Sequence, residues 1–169
     1  AFVGIMSNGT SGNINNVNYA APPPPKRAPG EQINAVARSV GDAAMRAWDK
    51  LQWTSSAPLA TREREISLGV RKASADELAR ARRILETVPR DKDGQWSDRK
   101  ATYAREAVLL DAFPARVPLK LQAHRIGGLT LAAIPCEVFV EIGLDLKATK
   151  PLEEHFTISL ANGYNGYLP

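Results

Sequence analysis

A chain of 169 residues can hold one domain with a real core and is too short for two comfortable ones. Hydrophobic residues make up 44% and charged residues 24%, which argues against overall disorder. The formal net charge of +4 comes from Lys and Arg interspersed with Asp and Glu, a pattern of solvated helix faces that argues against a nucleic-acid-binding role.

No apolar run approaches the roughly 18 residues needed to span a bilayer. The single cysteine, Cys136, excludes an internal disulfide. The chain opens on Ala1-Phe2-Val3-Gly4-Ile5-Met6 without a charged lead-in, so it does not look like a signal peptide. It stops at Pro169 straight after a Gly- and Asn-rich turn. We therefore expect an internal piece of a larger domain, incomplete at both ends, with residues 1–169 all belonging to one domain.

Residues 2–6 predict a short buried strand, a compact apolar run bounded by turn residues. The segment 7–18 is its opposite, rich in Gly and Asn and almost free of apolar side chains, and predicts a tightly turned loop. Residues 22–25 are four prolines that stiffen the chain into an extended stretch ending at Lys26 and Arg27. A Pro-rich recognition ligand and a rigid surface excursion both fit this stretch, and we favour the excursion. From Glu31 the period becomes helical: Ile33, Val36, Ala37, Val40, Ala44 and Trp48 fall on one face. Residues 61–70 alternate, with Arg64, Ile66, Leu68 and Val70 on one side of a strand.

Ser74-Ala75-Asp76-Glu77 has the spacing of a capping box. It opens a helix with Leu78, Ala81, Leu85 and Val88 as its buried stripe, which Pro89 ends. A third helix is expected from Ser97, with Ala104, Val108 and Leu109 inward. The basic residues Arg80, Arg82, Arg83, Arg99, Lys100 and Arg105 read as solvated. Val117, Leu119, Leu121 and Ala123 alternate along a strand that Gly127-Gly128 turns into a hairpin with residues 129–134. After Pro135, Val138, Phe139, Ile142 and Leu146 predict a short helix, and Phe156, Ile158 and Leu160 a last strand. The expected fold class is mixed, layered α/β.

Three segments place a polar, turn-rich stretch after an apolar strand: residues 7–16, Pro135-Cys136-Glu137, and Asn162-Gly163-Tyr164-Asn165-Gly166-Tyr167. Ligands gather where strand ends open into loops. Glu137 read by itself is a carboxylate meeting a helix N-terminus. Cys136 is a small residue beside a proline or, less readily, a thiol nucleophile. His124 on the polar face of the hairpin and His155 in an acidic connector both read as surface side chains.

The same three segments resemble, in order, parts of the neutral ceramidase family. Gly12-Asn13-Ile14-Asn15-Asn16 is similar to its Gly-Asp-Val-Ser-Pro-Asn nucleophile loop. Ile134-Pro135-Cys136-Glu137-Val138-Phe139 is similar to its Leu-Pro-Gly-Glu-Phe-Thr segment, whose glutamate binds zinc. Residues 160–167 are similar to its Ser-Asn-Ala-Tyr-Ala-Gly-Tyr turn, whose second tyrosine completes the metal site. The resemblance implies a zinc-dependent amide hydrolase acting on an N-acyl sphingoid lipid, in a parent protein that is secreted or periplasmic. It makes Glu137 and Tyr167 zinc ligands, with Tyr164 the competing phenol, and gives Asn13 and Asn16 substrate-binding positions. It also implies two further histidine ligands upstream of the first loop, which neither His124 nor His155 matches. Asn15 stands at the nucleophile position, where an amide offers no acyl-transfer nucleophile, and Cys136 stands where the family has glycine. We therefore expect this chain alone to be inactive. A non-catalytic binding or structural relative on the same scaffold is the alternative.

Overall fold

The computed structural model describes residues 3–22, 25–96, 98–149 and 154–169. Among them are four helices, a mixed sheet of four strands in the order β1-β2-β3-β5, and a small parallel sheet of β4 and β6. The expected mixed α/β class is the class observed. The chain forms two compact units, one of residues 1–62 and 122–169, the other of residues 63–121. The division falls within β1 (Leu59–Gly69) and β2 (Arg116–Ile126).

In the second unit, α2 (Ala75–Thr87) begins where sequence spacing places it. The Ser74 hydroxyl accepts from the Glu77 amide, and the Glu77 carboxylate accepts from the Ser74 amide, so two otherwise orphaned donors are satisfied. Helix α3 (Arg99–Asp111) is capped by Asp98, whose carboxylate accepts from the Ala101 amide at 3.0 Å. The expected start at Ser97 lies outside the described residues. The two helices pack on each other through small residues, with Ala81, Ala101 and Ala104 buried. Leu109 is exposed, contrary to expectation, whereas Ala104 and Val108 face inward. One residue past Val108 is a turn of about 100°, enough to leave the contact stripe. Leu119 on β2 is 2% exposed.

In the first unit, α1 (Glu31–Trp48) follows Gly30, whose φ of 81° suits glycine. None of its residues is buried, and its apolar stripe of Ile33, Val36, Val40 and Trp48 is exposed. The hairpin forms around Gly127-Gly128, with Ile126 opposite Leu129. Strand β3 (Leu129–Ile134) then pairs in parallel with β5 (Glu154–Ser159).

Four expectations fail in this unit. Residues 3–6 form no strand, and Ile5 and Met6 are about nine-tenths exposed because no ladder engages them; Phe2, like Pro23 and Pro24, lies outside the described residues. The helix α4 (Val140–Ala148) starts later than Val138. Val138 belongs instead to β4 (Glu137–Val138), because the Glu137 and Phe139 amides donate to the Gly166 and Leu168 carbonyls of the β6 segment (Tyr167–Leu168). At the end of β5, Leu160 turns to φ 58° and leaves the ladder, while His155 sits within the strand and not in a connector.

Candidate functional site

The site is built around β4. Pro135 ends β3, and the chain turns through a buried Cys136 into Glu137 and Val138, of which Val138 is fully buried. One edge of this short strand faces β6: Glu137 N–H donates to Gly166 O and Phe139 N–H to Leu168 O, both at 2.9 Å. The other edge carries the alternate carbonyls. Cys136 O accepts from Leu160 N–H at 3.0 Å, and Val138 O from Gly12 N–H at 2.8 Å. The last turn is held from within: the Asn165 amide and side chain both donate to Pro135 O.

The parallel register sets Glu137 beside Tyr167. The Tyr167 phenol lies near the Glu137 carboxylate, and its titration is pushed above the ordinary tyrosine value. The negative field of Glu137 is the main cause, and its polar proximity, slight burial and the neighbouring Tyr164 add to it. The Tyr167 ring meets Phe139 edge to face, with centroids 6.2 Å apart. Tyr164 and Tyr167 are both solvent-accessible, at 65% and 59%.

The first loop reaches the same strand through Gly12 and Asn13. A Cβ at position 12 would sit 2.6 Å from Glu137 O and 2.9 Å from a Phe139 ring carbon. Asn13 uses both ends of its side chain: Oδ1 accepts from Val140 N–H at 2.9 Å, and Nδ2 donates to Glu141 Oε2 at 2.8 Å. Asn15 is turned to its own neighbours. Its Oδ1 accepts from Val17 N–H and its Nδ2 donates to the Tyr19 hydroxyl, both at 3.2 Å. Asn16 lines an open cavity of about 400 Å³ with Asn18, Arg27 and Gln32. Among the described residues, neither Asn15 nor Asn16 hydrogen-bonds to Glu137 or Tyr167.

Burial pushes the Cys136 thiol up, which disfavours the thiolate a nucleophile needs. His155 is lowered by burial and by Lys147, with Nδ1 2.9 Å from the Thr130 hydroxyl. His124 lies 3.2 Å from the Thr61 hydroxyl. Among the described residues, no group of three or more His, Cys, Asp or Glu side chains gathers as a metal cluster. Nor is any helix long and apolar enough to cross a membrane.

Glu141 and Asn165 were not among the sequence candidates. Asn165 carried a visible signal, an amide between two Gly-Tyr steps, but its partner is a carbonyl thirty residues away. No protein-family model matches the chain, and no curated protein matches it.

Proposed function

We propose that the chain contributes the nucleophile-loop and metal-binding segments of a zinc-dependent amide hydrolase resembling the neutral ceramidases, with an N-acyl sphingoid lipid as substrate. The observation that carries this reading is the pairing of Glu137 with Tyr167 on adjacent strands, which sets a carboxylate beside a phenol. Two oxygen donors side by side suit half of a four-coordinate zinc site. The other two positions fall to histidines of the parent protein, as the resemblance implies.

Zinc, when bound, would supply Lewis-acid polarisation of the amide carbonyl. Glu137 would bind as a carboxylate. Tyr167 would bind as a phenolate, losing its hydroxyl proton, a loss that the Glu137 charge opposes and a dication makes easier. Asn15 can orient a neighbour through its amide but cannot be deprotonated to a nucleophile at ordinary pH.

A second reading, a non-catalytic relative on the same scaffold, draws on Asn15 too, because its side chain is occupied by Val17 and Tyr19. The full-length parent protein supplied with zinc separates the two. Hydrolysis of N-acyl-sphingosine is measured for the unaltered protein and for Asn15→Ser, alongside metal content. Bound zinc with hydrolysis gained only in Asn15→Ser supports a ceramidase-type site lacking its serine. Hydrolysis by the unaltered protein overturns Asn15 as a disabling residue, and a protein that neither binds zinc nor hydrolyses in either form overturns the hydrolase reading. The isolated chain should hydrolyse nothing, with or without the serine, since nucleophile and metal act as one unit.

A further inference from the structure

We infer that Gly12 and Asn13 are positioning residues that clip β4 against β6 and so keep Glu137 beside Tyr167. The inference rests on the reading of that pair as the functional site, and it gives Asn13 a role other than contact with substrate.

A two-residue parallel pair is a weak element on its own, because so few ladder bonds hold it. β4 gains a second neighbour in the first loop. Its odd-numbered amides bond to the β6 segment, and the even-numbered Val138 carbonyl bonds to Gly12 N–H, so the strand is gripped on both edges. The loop is itself tied to β5, where Ser159 N–H donates to Asn8 O at 2.9 Å. Absence of a side chain at Gly12 permits the approach, since a Cβ there would collide with the Glu137 carbonyl. The ring of Phe139 lies against Gly12 on one side and meets Tyr167 edge to face on the other. The grip is thereby passed on to the phenol.

Asn13 completes the clip. Phe139 stands at the N-cap of α4, and its side chain offers no capping oxygen. Asn13 supplies that oxygen to Val140 N–H from a distant part of the chain and secures it with a charge-assisted bond to Glu141. Because β4 runs straight into α4, fixing Val140 fixes the end of β4 as well.

The test is amide hydrogen exchange by NMR on the chain. Asn13→Ala should speed exchange at Val140 by about fivefold, as expected for one lost cap. It should also speed exchange at Glu137 and Phe139, whose amides face β6, and leave Ala101 in the other unit unchanged. The double variant Asn13→Asp with Glu141→Gln reverses the polarity of the pair while keeping its bonds, and should return Phe139 to within about twofold of the unaltered rate. Asn13→Asp alone, with two carboxylates in contact, should not. Acceleration confined to Val140 would reduce Asn13 to a helix cap and overturn the inference, as would failure of the double variant to rescue Phe139. Titration of the full-length parent protein and its Asn13→Ala form with Zn²⁺, followed by tyrosine ultraviolet difference absorbance, reports on the metal reading separately. A zinc-insensitive Tyr167 combined with accelerated Phe139 exchange in Asn13→Ala would sink the zinc site and leave the clip standing.

Discussion

Replacing Gly12 by Ala probes the closest backbone approach in the candidate site. The added methyl would lie 2.6 Å from Glu137 O, 2.9 Å from a Phe139 ring carbon and 3.0 Å from Val138 C. Two of the three are main-chain atoms, so no flexible side chain can simply swing away. Overpacking of this kind costs about 1–3 kcal/mol. Moving the loop off β4 to relieve it would break the bond from Gly12 N–H to Val138 O, worth about 1 kcal/mol. These are alternative ways of meeting the clash, so a destabilisation of about 1–3 kcal/mol is expected. Gly9→Ala is the matched control: no atom lies within 4 Å of its added methyl, so it should be neutral or slightly stabilising through the unfolded chain. Urea unfolding followed at the Val138 and Phe139 NMR signals gives the size of the effect, with Ala101 reporting on the other unit. A Gly12→Ala protein within about 0.5 kcal/mol of the unaltered one would refute the packing argument.

Two other predictions concern pH and capping. Bonds from the Ser74 amide and hydroxyl, with Arg71 and Arg80 near, hold the Glu77 carboxyl below its ordinary 4.5. Its stabilising contribution is therefore present above that value and is lost as pH falls through the lowered native value; Glu77→Gln should remove this dependence, while Ser74→Ala, which keeps the amide, should only weaken it and cost about 1 kcal/mol by thermal unfolding. His155 is lowered from 6.5, chiefly by burial, so the unfolded chain takes up a proton that the native one resists. Stability should be level above that pH and fall below it, and urea midpoints for His155→Gln should lose that step.

The elements that were legible in the sequence are those whose signal is local. The capping box at Ser74, the alternation along β1 and the Gly127-Gly128 turn each fix their geometry within a few residues, and each is found where the spacing puts it. What failed depended on partners far along the chain. Residues 3–6 have the composition of a strand but no ladder to join. Val138 has the period of a helix, yet the competing bonds from residues 137 and 139 to the β6 segment hold it extended. The residue pattern could not reveal β6 itself, since two residues carry no periodicity.

The site follows the same division. Its three segments were visible as turn-rich stretches after apolar runs, and two of them, the Pro135 turn and the final turn, are knitted to each other by bonds at Pro135, Cys136 and Glu137. Which side chain of the first loop would face that junction was not visible, because four asparagines within residues 8–16 are chemically alike. Geometry separates them. Gly12 can approach β4 only because it lacks a side chain, and the next residue, Asn13, is thereby delivered to the free amide at the start of α4. Two residues later the side-chain amide of Asn15 closes on Val17 and Tyr19 instead. A serine at position 15 would inherit that backbone. Its shorter side chain would lose the reach to Tyr19 and free the hydroxyl from that partner, which makes Asn15→Ser in the full-length protein the decisive variant.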